Sequence, residues 1–234
     1  TEFAKSDFSN ANMEMLDLSD TINTLGVKFN KANLKGVKFG NSTFLETDFG
    51  GADFTETQCI EATFNECNLS NSHGMQSRFE GCNFISCSLT ACHYEKSDFT
   101  NARILDKSNI SESTFKNCIL ADATLRAIEA NNIQFINCTI NNSDFSDSSL
   151  RSASFNGSTV KSAILIKSNL TNAYLKNANF MYSNFMQANL ANADLSKSNL
   201  YGCEFLGAIV SKTNFSYSNL DGTKLENWRP SKWQ

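Results

Sequence analysis

Three residue types in this chain could bind a metal or act as nucleophiles: eight cysteines, two histidines and many serines. His73 and His93 are twenty residues apart, and Asp53 precedes His73 by the same interval. If the chain turns once per twenty residues, Asp53, His73 and His93 fall in one outward column. Such a column could take a divalent ion such as zinc, or act as a pH-sensitive patch. Three ligands in a line suit a tetrahedral ion poorly, so we read an exposed ladder and assign no metal or other cofactor. Cys82, Cys87 and Cys92 are spaced by five. That spacing puts them on three different faces, where they cannot share one ion. The serines are scattered over the whole chain, and nothing implies a cleft or an oxyanion hole beside any of them. The chain reads as non-enzymatic.

A second group is electrostatic. The net charge is −4. Residues 1–109 hold fifteen acids against nine bases, and residues 110–225 hold eight against nine. Between Phe39 and Ser77 lie Glu46, Asp48, Asp53, Glu56, Glu61 and Glu66, with no base among them. This acidic band is the candidate binding surface, with all six side chains expected to point outward. Bases are too scattered for a nucleic-acid groove, and the aromatics point inward, so no direct nucleic-acid contact is expected. No apolar run is long enough to span a membrane.

A five-residue period positions these groups. All nineteen phenylalanines keep one phase of it, with single-residue slips between Leu18 and Phe29 and between Ile104 and Ile110. The period is neither helical nor that of a plain strand. It suits a solenoid whose units stack on one another. Ala188-Asn189-Leu190, Ala193-Asp194-Leu195 and Ser198-Asn199-Leu200 give the unit: small, polar, large apolar, then two more polar residues. Seven cysteines occupy the small position, while Cys59 replaces the large residue, so we expect packed free thiols. Asn179, Asn199 and Asn219 should stack as an amide ladder.

These units resemble the pentapeptide-repeat family, whose consensus is A(D/N)LXX, over about residues 3–225. The resemblance implies an all-β fold: a right-handed quadrilateral β-helix with four pentapeptides per coil. About eleven coils at ~4.8 Å would make a rod of about 50 Å. Family members of the quinolone-resistance and toxin-immunity kind protect DNA gyrase by presenting a rod that resembles duplex DNA. The resemblance therefore implies a protein partner, DNA gyrase or another topoisomerase, and the expected free thiols imply a reducing compartment, the cytoplasm. The alternative is a rigid protein-interaction scaffold, free-standing or part of a larger secreted bacterial effector.

We expect one domain over 1–225 and a C-terminal cap or tail over 226–234. Both tryptophans, Trp228 and Trp233, lie in that tail. They read as lids on an open solenoid end or as a homodimer contact through it. Breaks in the repeat are expected at Asp20–Val27, as an extended turn; at Gly74, with Met75 filling the missing volume; at Leu105–Asn109, as a bulge; and around Ala130, where Ile128 and Ile133 make up volume.

Overall fold

The computed structural model describes residues 3–19 and 23–225. Trp228, Trp233 and the expected cap at 226–234 lie outside the described residues, as do Asp20–Ile22 of the first break.

A large residue every fifth position turns the chain through a corner each time, and four such sides close one coil. Each coil lies parallel and in register on the one below. One thread of parallel bridges runs Asp7, Lys28, Asp48, Asn68, Ser88, Asn109, Glu129, Ser149, Asn169, Asn189 and Ile209. Three similar threads define the other sides, and no helix occurs among the described residues. This is the quadrilateral β-helix that the resemblance to pentapeptide repeats implies.

Where pairing is regular the sides become three-residue strands. One face carries β1 (Asn23–Leu25), β2 (Thr43–Leu45), β3 (Thr63–Asn65), β5 (Asn83–Ile85) and β7 (Arg103–Leu105). Another carries β4 (His73–Met75), β6 (His93–Glu95), β8 (Thr114–Lys116) and β9 (Gln134–Ile136).

The core is a set of apolar columns. Phe29 stacks on Phe49 with ring centroids 5.1 Å apart, and Phe64 on Phe84 at 4.9 Å, close to the inter-coil spacing. Burying each such side chain contributes roughly 1.5–3 kcal/mol. All eight cysteines are buried and free, Cys59 in the Phe39–Phe79 column and seven at the small inward site.

Corners explain two further preferences. The residue two after the large one adopts positive φ, whether it is Gly26 (63°), Asn41 (56°) or Glu46 (51°). At the corner after Phe29, Ala32 N–H donates to Phe29 O at 3.0 Å, and the third turn residue, Lys31, has φ 55°. The polar residue before the large one is often Asp or Asn because its side-chain oxygen accepts the N–H two residues on, as Asp53 does from Thr55 at 2.8 Å.

The irregular positions differ in part from expectation. Met75 sits outward at a corner and is exposed, so it does not fill the gap at Gly74. Tyr94, in register above Gly74, takes that volume, and its hydroxyl reaches Ser72 Oγ at 2.8 Å. A Cβ on Gly74 would collide with Ser77 Oγ and meet the Phe54 backbone at 3.1 Å, so no space is left over. The inserted residue near Ser108 gives two consecutive left-handed residues, Asp106 (φ 55°) and Lys107 (φ 62°). Ile128 and Ile133 are buried on either side of the small Ala130.

Candidate protein-docking corners

The six acids of the band separate into two kinds. Asp48 and Asp53 occupy the polar site on a flat side. Asp48 Oδ1 accepts Asn68 Nδ2 at 2.8 Å and Gly50 N–H at 2.9 Å, and Oδ2 accepts Asn30 Nδ2 at 2.6 Å. Its charge is spent on joining three coils. Asp53 caps its own corner and lies 3.7 Å from His73 Nε2.

Glu46, Glu56, Glu61 and Glu66 behave differently. Each is the left-handed corner residue, with φ between 51° and 58°. Each is exposed. Among the described residues none of the four enters an ion pair or a side-chain hydrogen bond, whereas Glu80, just beyond the band, is held by Arg78 at 2.8 Å. Glu46 and Glu66 share one corner on successive coils, which puts their backbones ~4.8 Å apart. Gly51 occupies the next corner, and Glu56 and Glu61 project from the third and fourth corners of the coil. The sequence marks all six acids alike; the corner-versus-side distinction depends on which phase of five each occupies.

Asp53, His73 and His93 do share one column, since β4 pairs β6 with His73 opposite His93, and Asp53 bridges to His73. His93 Nδ1 lies 3.1 Å from Ala91 O. No group of three or more His, Cys, Asp or Glu side chains that could hold a metal ion occurs among the described residues. A shallow depression of about 300 Å³ lies beside this column, between the histidines and the Glu95–Lys116 pair.

Six of the eight thiols are held protonated by their surroundings, while Cys87 and Cys118 are lowered by their hydrogen bonds with Cys67 and Cys138. Burial pushes the thiols of Cys59 and Cys82 up, that of Cys92 up to about 11 and that of Cys203 up to about 12. Cys67 is raised by its hydrogen bond with Cys87 and then by burial, and Cys138 likewise by Cys118. Thiols held protonated in a core are not nucleophiles at neutral pH.

The asparagine column is only partly an amide ladder. Asn219 Nδ2 lies 3.4 Å from Asn199 Oδ1, but the oxygens of Asn179 and Asn199 also accept their own corner N–H groups, from Met181 and Tyr201. No helix of the described residues is long and apolar enough to cross a membrane.

Comparison with solved structures finds the following similarities. The chain is 17% identical to HetL, a pentapeptide repeat protein involved in heterocyst differentiation regulation from the cyanobacterium Nostoc, over 94% of this chain and 90% of that one, with a TM-score of 0.43. It is 22% identical to QnrB1, a plasmid-mediated fluoroquinolone resistance protein, over 91% and 92% of the two chains, with a TM-score of 0.42. It is 24% identical to Rfr23, a pentapeptide repeat protein from the cyanobacterium Cyanothece, over 43% and 62%, with a TM-score of 0.31. No curated protein matches the sequence. The description "Pentapeptide repeats (8 copies)" matches residues 32–71, 77–120 and 188–227, and "Pentapeptide repeat region" matches 108–185. With most of its length matched in this way, the chain belongs to the pentapeptide-repeat family.

Proposed function

We propose that this chain is a non-catalytic, rigid protein-binding rod whose corner glutamates enter the basic, DNA-binding groove of a topoisomerase such as DNA gyrase in the cytoplasm. The observation that carries the reading is the set of four exposed glutamates, Glu46, Glu56, Glu61 and Glu66, without counter-ions among the described residues. They lie within one turn of the chain, a rise of ~5 Å along the rod. Duplex DNA carries one charge per ~1.7 Å, roughly three over that length. The local charge is of the right order for a short stretch of duplex, although the net −4 of the whole chain is not. The proposed mechanism is competition: the rod occupies the groove that would otherwise hold DNA.

A gyrase supercoiling assay with and without a fluoroquinolone tests this. Wild type should alter supercoiling or relieve the drug's inhibition, and Glu46→Lys/Glu56→Lys/Glu61→Lys/Glu66→Lys should do neither. Equal activity of wild type and variant would sink the mimicry reading.

A second reading, a rigid scaffold that docks other proteins or a second copy near its C-terminal end, is favoured by a separate observation. Tyr182 and Tyr201 pack edge to face at one corner, and Leu206 and Ile209 are exposed near the next. Tyrosines and aliphatics exposed together are typical of interface cores. Light scattering across a concentration series reads the second-copy form: a constant monomer mass would remove it.

A further inference from the structure

The corner that carries Glu46 and Glu66 also carries an apolar column. Leu25, Leu45, Asn65, Ile85 and Leu105 are in register at the ends of β1, β2, β3, β5 and β7. Leu25 is 41% exposed, and Leu45, Ile85 and Leu105 are half-buried. At the equivalent place on the corner after Phe29, Phe49 and Leu69 the residues are Asn30, Gly50 and Ser70. Apolar residues in an outward column expose surface that the fold does not require. The column is finite: Arg103 bridges to Thr124, which brings Arg126 into line above Leu105.

We infer that this ridge, with Glu46 and Glu66 beside it, docks a basic amphipathic α-helix of a protein partner. A strand is disfavoured because the corner has no free edge: the N–H groups of Glu46 and Glu66 already donate to Asn65 O and Ile85 O at 2.9 Å. A helix needs no backbone bond. Its side chains at i, i+4, i+7 and i+11 advance by about 4.5–6 Å per step, close to the ~4.8 Å between rungs of the ridge. From Leu25 to Leu105 the ridge spans four steps, about 19 Å, or about 13 residues of helix. The two glutamates flank the ridge on one side, and the residues preceding it on the other, Thr43, Thr63 and Asn83, are uncharged, with the one cation of that column, Arg103, beside Leu105 at the far end. A helix with lysines or arginines along one border of its apolar stripe complements both features. The inference rests on the reading of Glu46 and Glu66 as contact residues, and adds what kind of element meets them.

The test is fluorescence anisotropy with a labelled peptide of about 18 leucines and lysines, the leucines at helical spacing. The controls are a peptide of the same composition with leucines spread around the helix, and oligolysine of equal charge. Wild type should bind the amphipathic peptide at least about tenfold more tightly than either control. Leu45→Ser/Ile85→Ser should bring it to the level of the controls. Glu46→Gln/Glu66→Gln should weaken it and flatten its salt dependence, while Glu56→Gln/Glu61→Gln leaves it unchanged. Equal binding by the leucine/isoleucine variant, or equal weakening by the two glutamate variants, overturns the inference. If Leu45→Ser/Ile85→Ser fails to fold, Leu25→Ser alone decides: an affinity equal to wild type overturns it. Gyrase binding by the same variants separates this from the reading beneath it. Loss with the Glu46/Glu66 variant but not with the ridge variant keeps the acidic contact and overturns the helix. Ridge-dependent peptide binding without any gyrase binding upholds the helix and removes gyrase.

Discussion

Asn68 Nδ2 donates to Asp48 Oδ1 across one coil at 2.8 Å, two residues along the chain from Glu46, whose carboxylate has no hydrogen-bond or ion-pair partner among the described residues. Neighbouring acids thus have opposite jobs. Asp48→Ala should cost about 1–3 kcal/mol, because two amides and a backbone N–H lose a charged acceptor. Glu46→Gln should change stability by less than about 0.5 kcal/mol, as is usual for exposed positions. Urea melts of the two variants check this, and equal costs would contradict the division. The sequence alone treats all six acids as interchangeable outward charges; the structure makes reversal of Asp48 a stability mutation.

Phe155 is fully buried and tilts against Phe135 with centroids 5.0 Å apart. Phe155→Ala should cost about 3–5 kcal/mol by opening a cavity between coils that cannot close without breaking their hydrogen-bond ladder. A urea melt reads it directly. A cost below about 1 kcal/mol would mean that the columns contribute little.

Stability should fall at alkaline pH. Cys59, Cys82, Cys92, Cys203 and Tyr94 all have acid groups raised above their ordinary values by burial. The folded state therefore keeps protons that the unfolded state releases. For Cys92 the stabilisation is complete below pH 9 and is lost progressively between 9 and about 11. Each such thiol removes ~1.4 kcal/mol per pH unit within its window. Melting temperatures from pH 7 to 10.5 should drop above about 9, and Cys92→Ala should flatten the drop. A curve that is level to pH 10.5 would contradict the burial of these thiols.

The fold was legible because one physical rule acts at every fifth residue. A phenylalanine can be buried only if the chain turns between successive units, so the phase of Phe115, Phe135 and Phe155 already defines a column. The small-site cysteines follow from the same rule. What stayed hidden needed three dimensions. Gly74 suggested that its neighbour Met75 fills the gap, but the filling residue is Tyr94, twenty positions away and directly above it. The ridge of Leu25, Leu45, Ile85 and Leu105 escaped notice because each member looks like an isolated apolar residue among polar ones. The division of the acids depended on Asn30 and Asn68, whose side chains meet Asp48 from coils below and above it.

The central claim is that the corner glutamates, and not the side-face aspartates, carry the contact with a DNA-binding groove. Direct binding of DNA gyrase to immobilised protein, over a salt series, tests it. Wild type should bind, and weaken with salt as screening shortens to ~8 Å at physiological ionic strength. Glu46→Gln/Glu56→Gln/Glu61→Gln/Glu66→Gln should lose binding while its melt is unchanged, and Asp53→Asn should keep it. Undiminished binding by the four-glutamine variant, or no binding by wild type at low salt, would contradict the account.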